Sequence, residues 1–175
     1  GRADMAAGGY YRTAEREKVV DLSAPIWLDQ LGIIAEAKVD TISDLDGMKV
    51  GTVDGYLWVP DLQKTLGSEL TIYPSNVEMK ADLEAGRIEV AVDSLSLASG
   101  YEGYESAAAQ PDDRVASTIN PAQVGWPYAK GNTALGDALD GAIAEWHDDG
   151  SIVTALDESG LPASLADTGA PRIIQ

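Results

Sequence analysis

The sequence predicts an α/β fold with mainly parallel sheets, and three observations predict it. Short apolar runs end in turn residues, as where Val50-Gly51-Thr52-Val53 meets Asp54-Gly55. Stretches with apolar residues at helical spacing separate those runs. The alternation repeats, and strands divided by helices of this length imply βαβ units.

Val50–Val53 reads as a buried strand. From Tyr56 to Leu66 the residues Leu57, Trp58, Leu62 and Leu66 recur at helical spacing, and Gly67 stops that helix. Leu70-Thr71-Ile72-Tyr73 is the next strand. Pro74-Ser75-Asn76 then leads into a helix carrying Val77, Ala81 and Leu83-Glu84-Ala85, with Gly86 placed as its C-terminal glycine. Val90-Ala91-Val92 is a fully apolar strand, and Arg114 to Ile119 reads as another. Asn120-Pro121 forces an extended or turning backbone. Pro127 restricts Gly125–Ala129 to an edge strand or a bulge. Thr133 is a candidate N-cap for a helix to Asp149, with Leu135, Leu139, Ile143 and Trp146 on one face and Gly150 as its stop. A short helix from Ile152 to Ser159 ends at Gly160. The tail from Pro162, rich in Ala, Pro, Gly and Ser, is expected to lie over the surface.

The 175 residues suit one compact body or two small lobes. With 29 acidic and 12 basic side chains the net charge is -17, a field that repels phosphate backbones and argues against nucleic acid as a partner. No apolar run approaches the ~18–20 residues of a membrane-spanning helix. The absence of cysteine removes disulfides, thiolate metal sites and cysteine nucleophiles together. The chain opens at Gly1 instead of a methionine, so this end is expected to be a processed or cut one.

Gly1-Arg2-Ala3-Asp4-Met5-Ala6-Ala7 and Gly86-Arg87-Ile88-Glu89-Val90-Ala91-Val92 share Gly-Arg, an apolar residue, an acid and three apolar residues. Two βα layers of similar design, one per half, are the simplest explanation. Gly86 ends a helix that the sequence contains, whereas Gly1 would end one that it does not. The first half is therefore expected to lack two βα steps, roughly 60 residues.

Four segments, in order, resemble the bacterial extracytoplasmic solute-binding proteins of ABC importers, of the polar amino-acid type with the type II periplasmic-binding fold. The first runs from Gly8-Gly9-Tyr10-Tyr11-Arg12-Thr13-Ala14-Glu15-Arg16 through Lys18-Val19-Val20-Asp21-Leu22-Ser23-Ala24-Pro25. The others are Ile42 to Gly51, Asp82 to Glu89, and Tyr128-Ala129-Lys130-Gly131-Asn132. The resemblance covers the chain to about Gly160. It implies a two-lobed clamp hinged near Ile26–Gln30 and Ile119–Gln123. The expected second lobe, residues 28–122, is complete. The first, residues 1–27 with 123–175, is incomplete, so this stretch alone is expected to bind weakly or not at all.

The resemblance implies that Arg16 grips a solute carboxylate, a task suited to a planar guanidinium with paired donors. Gly9-Tyr10-Tyr11 would offer backbone N–H groups at a helix start, where an anion is favoured. Relatives carry a small hydroxyl residue where Tyr11 stands. Asp54-Gly55-Tyr56 lies between strand and helix, at the carboxyl end where open α/β sheets bind ligands. Gly55 permits close approach, and the Tyr56 N–H would help hold the carboxylate. Ser94 stands where amino-acid binders place the aspartate that pairs with the α-ammonium. Asp93 precedes it and, as its strand neighbour, points to the opposite face. An α-amino acid held in the family's usual way is therefore not expected, and Asp93 remains a candidate for a cationic or hydroxyl-bearing solute, or a structural cap.

Signals for catalysis are poor. His147, the single histidine, sits near a helix C-terminus where the dipole favours it. There is no Gly-x-Ser-x-Gly elbow, phosphate loop or His-x-x-x-His pair. Asp112-Asp113 and Asp148-Asp149 lack the spacing of a calcium loop. The expected function is capture of a small polar, carboxylate-bearing solute without chemistry, in the periplasm or outside the cell, with lipid anchoring of the parent left open. The expected partners are that solute and an ABC permease; no cofactor is implied. Exposed edges of the incomplete lobe are expected to drive self-association. Two alternatives stay open. One is a cyclic-acid dehydratase-like lyase, for which Glu15, Asp54 and Asp93 are the only nearby acids. The other is a ligand-sensing domain of a receptor or regulator.

Overall fold

The structure, a computed structural model, describes residues 3–174. In chain order the helices are α1 (Ala14–Glu17), α2 (Val59–Leu66), α3 (Asn76–Glu84), α4 (Ala116–Ile119), α5 (Thr133–Asp148) and α6 (Ser151–Glu158). The strands are β1 (Val20–Leu22), β2 (Trp27–Asp29), β3 (Leu31–Ala35), β4 (Val50–Val53), β5 (Leu70–Tyr73), β6 (Val90–Ser94), β7 (Glu105–Ala108), β8 (Ala122–Val124) and β9 (Pro127–Ala129). They form two compact units, one of residues 1–29 and 122–175, the other of residues 30–121.

The second unit is built on a five-stranded sheet in the order β5-β4-β6-β3-β7. β4 is parallel to β5 and β6, whereas β3 is antiparallel to β6 and β7, so four strands point one way and β3 runs against them. β3, β4 and β6 are buried along their whole length, as the apolar runs of central strands require. On one face α3 turns Met79 and Leu83 into a core with Ile34, Val53, Tyr73, Ile88 and Tyr101. Ser75 caps α3, its hydroxyl accepting from Glu78 N–H. The expected helix from Tyr56 begins only at Val59. Pro60 lies in the first turn, where its missing N–H costs nothing, and residues 54–58 form the turn before it.

In the first unit β1 pairs with β9 and β2 with β8, both antiparallel. β9 is an outer strand of its two-stranded sheet, as expected, and Met5 forms an isolated bridge with Tyr128 on the side away from β1. Pro127 is accommodated as the strand's first residue, where its carbonyl accepts from Ala6 N–H. Of the repeated seven-residue pattern, Gly1 and Arg2 lie outside the described residues. Met5 and Val90–Ser94 each lie against an antiparallel neighbour. The core joins Ile26 to Ile143 of α5, Ile152 and Leu156 of α6, and Leu165.

Three further expectations are corrected. Residues 116–119 form the one-turn helix α4, not a strand. Thr118 Oγ1 donates to Val115 O and accepts from Asp112 N–H, which gives the chain a local turn in place of a ladder. Asn132, not Thr133, caps α5: its Oδ1 accepts from Leu135 N–H, and an asparagine suits this position better. The C-terminal tail does not merely cover the surface, since Leu165 is in the core and Thr168 is buried.

Candidate functional site

The first unit holds Gly9, Tyr10, Tyr11 and Arg16 in one loop and turn. The chain enters α1 through Thr13, whose hydroxyl accepts from Arg16 N–H. This places the N-cap two residues beyond Tyr11. Gly9-Tyr10-Tyr11 therefore does not supply the helix start that was expected: Tyr11 bridges Val124, and Tyr10 O accepts from Gly125 N–H. Tyr11 turns its ring inward and donates its hydroxyl to Asp29 Oδ2 at 2.9 Å. The bulk of the Tyr11 ring is thereby stored in the interior, and the Tyr11 carbonyl accepts from Arg16 Nη1 at 2.6 Å. Gly9 and Tyr10 are exposed, and the Tyr10 ring lies 5.8 Å from the Arg16 guanidinium carbon.

Arg16 is half-buried and pairs with no carboxylate among the described residues. Glu15 beside it is taken by Lys18. A solvated arginine in a row of acids would be expected to pair with one of them. Among the described residues the Arg16 guanidinium is instead held by the Tyr11 carbonyl and the Tyr10 ring face.

In the second unit Asp54, Gly55 and Tyr56 follow β4 directly. Asp54 N–H extends the β4–β5 ladder by donating to Tyr73 O, and its side chain is exposed. Gly55 has φ +80, which a side chain would strain, and its amide has no partner among the described residues. Trp58 is core: its Nε1 donates to Thr52 Oγ1, which in turn donates to Val92 O. The Tyr56 ring rests 4.7 Å from that of Trp58. Asp93 and Ser94 end β6, on opposite faces as strand alternation requires. Asp93 is fully enclosed. Its Oδ1 accepts from Tyr56 OH at 2.7 Å and from Ser94 N–H at 2.8 Å, and its Oδ2 accepts from Tyr101 OH at 2.5 Å. Burial, then the hydrogen bond to Asp93, push the Tyr101 phenol up, so it remains the donor. Ser94 Oγ lies 2.6 Å from Ser96 Oγ.

Sequence reasoning missed Tyr101 and Arg12. Tyr101 carries no signal because only the fold brings it to Asp93. Arg12 looks like its neighbour Arg16 in sequence, yet it is buried, with Nε donating to Ser23 O and Nη1 to Gln123 Oε1 and Arg172 O. Desolvation lowers its pKa, opposed by Glu17 and Asp140, but a guanidinium stays charged. His147 Nε2 lies 3.2 Å from Pro25 O in the first unit, a structural contact. Among the described residues no group of three or more His, Cys, Asp or Glu could hold a metal, and no helix is long and apolar enough to cross a membrane.

The family model of bacterial extracellular solute-binding proteins, family 3, matches residues 1–158. The chain belongs to this family. No curated protein matches it significantly. Among solved structures, it is similar to an amino acid ABC transporter substrate-binding protein from Streptococcus pneumoniae bound to L-arginine. There the identity is 23%, the TM-score 0.71, and the match covers 94% of this chain and 70% of that one. The arginine-, lysine-, histidine-binding protein of Geobacillus stearothermophilus is 17% identical, with TM-score 0.66 over 90% of this chain and 69% of that one. An ancestral amino-acid-binding protein, described as a precursor of cyclohexadienyl dehydratase, is 19% identical, with TM-score 0.69 over 90% and 68%. These likenesses share the two-lobed α/β fold.

Proposed function

We propose that this chain is the solute-capturing component of an ABC importer, acting outside the cytoplasm and delivering a small amino-acid-like solute to a permease. The two units serve as its lobes, and each contributes its own ligand groups. Arg16, with Gly9 and Tyr10 around it, takes the carboxylate. Within the second unit, taken by itself, Asp54, the Gly55 amide, the Tyr56 backbone and Ser94 are the candidate ligand groups. Asp93 stands behind the Tyr56 hydroxyl and polarises it, which suits a solute that carries an ammonium or guanidinium group. The observation that carries this reading is Arg16, a half-buried guanidinium with no carboxylate partner among the described residues while the acid beside it is paired with Lys18. No reaction is assigned. Asp93 is closed in by two phenols, Glu15 is paired with Lys18, and Asp54 is exposed, so none is poised as a general acid or base.

Thermal-shift measurements with L-arginine and agmatine test the proposal, because agmatine lacks only the carboxylate. L-Arginine is expected to raise the Tm of the wild-type protein, agmatine to leave it unchanged, and Arg16→Ala to abolish the difference. Equal shifts with both compounds, or an undiminished response in Arg16→Ala, would contradict it.

A further inference from the structure

The segment that follows the family match is stitched to the loop that carries Arg16. Gln123 is 1% exposed, and both ends of its amide are committed to this segment. Nε2 donates to Thr168 O at 2.8 Å and Ala170 O at 2.9 Å, while Oε1 accepts from Arg172 N–H at 2.8 Å. The same Oε1 accepts from Arg12 Nη1, which also donates to Arg172 O at 2.9 Å. Two residues on, Ile174 forms a parallel bridge with Thr13: Ile174 N–H donates to Arg12 O at 2.9 Å and Ala14 N–H donates to Ile174 O at 2.8 Å. The bridge grips the residue whose hydroxyl caps the turn holding Arg16. That turn is four residues long and buries none of its own side chains, so neither length nor packing fixes it.

We propose that residues 168–174 are a positioning strap that fixes the Arg12–Arg16 segment, so that carboxylate capture by Arg16 depends on chain that does not touch the solute. The strap works through a buried cation surrounded by neutral acceptors. Arg12 is held by the carbonyls of Ser23 and Arg172 and by the Gln123 amide, and without residue 172 it would lose one of these and face water. The claim about affinity rests on the solute-binding reading above; the claim that the strap orders the turn does not.

Two variants of the full chain test it: deletion of residues 168–175, and Ile174→Pro, which removes the donor to Arg12 O and leaves the core intact. Hydrogen exchange of the Glu17 amide, which donates to Thr13 O within the turn, reads the turn, exchange of the Val90–Ser94 amides reads the second unit, urea melts read global stability, and an NMR titration with L-arginine reads affinity. In both variants Glu17 is expected to exchange at least tenfold faster while the second unit is unchanged. Ile174→Pro is expected to weaken L-arginine at least threefold with its urea midpoint unmoved. Unchanged Glu17 protection would overturn the strap, as would acceleration spread evenly over the first unit. Faster exchange with undiminished L-arginine affinity would overturn its positioning role. If the wild-type chain binds no L-arginine, the solute reading fails, and the exchange measurements still decide whether the strap orders the turn.

Discussion

Asp93 shows how far a residue's role depends on what folding brings to it. As a residue in sequence it was a candidate ligand or cap; in the fold it is an enclosed carboxylate that organises two phenols. Tyr101→Phe removes one donor and leaves Oδ2 desolvated without it. It is expected to destabilise the protein by about 1–3 kcal/mol, read as a lower urea midpoint, and an unchanged midpoint would contradict the account. Arg16 was singled out because it stands where the resembling family has an arginine, and in the fold it is half-buried against the Tyr10 ring and the Tyr11 carbonyl. Its neighbour Arg12 was not, because burial of a guanidinium is decided by contacts with Ser23, Gln123 and Arg172, which are distant in sequence. Tyr11 was half legible: its departure from a small residue was plain, but the inward turn toward Asp29 depends on β2.

At the scale of elements, β4 and β5 were readable to the residue because apolar runs between turn signals leave little choice. β6 was readable except for its last two residues, whose polar side chains are satisfied only in the fold. β3 was passed over although Leu31–Ala35 is an apolar run, and β7 carries little signal because its edge position leaves Glu105 and Ser106 exposed. Close packing over β4 depends on Gly51: a Cβ there would lie 2.5 Å from Ile88 Cδ1, 2.9 Å from Tyr73 Cε2 of β5 and 3.2 Å from Met79 Cγ of α3. Gly51→Ala is expected to cost roughly 1–3 kcal/mol through overpacking. Gly141 lies exposed within α5 with open space around its Cα, so Gly141→Ala is expected to stabilise by about 0.5–1 kcal/mol. Chemical melts of the two variants should move in opposite directions. A shared direction would contradict the packing described.

For the whole molecule, charge sets the response to solution conditions. A net charge of -17 makes the compact state repel itself, so added salt at neutral pH is expected to raise the Tm. Acid acts in two stages. Partial protonation first relieves repulsion. Asp82, held below the usual carboxylate range by hydrogen bonds from Arg87 and then Tyr73, and Asp112, held there by Arg114, oppose further acidification. A depressed folded-state pKa stabilises the native protein above the unfolded value and loses that contribution as pH falls through the folded one. The Tm is therefore expected to hold or rise from pH 7 to 5 and to fall below pH 4; a monotonic rise into acid would contradict these assignments. The two-unit division had a trace in the internal similarity between residues 1–7 and 86–92 and another in the family resemblance, whereas the docked tail had neither. The central claim, that a guanidinium in the first unit captures a carboxylate, is tested most directly by following the Arg16 Nε–H resonance while L-arginine is added. It is expected to shift and saturate with added L-arginine and to ignore agmatine. A resonance that stays put while the protein binds L-arginine would contradict the claim.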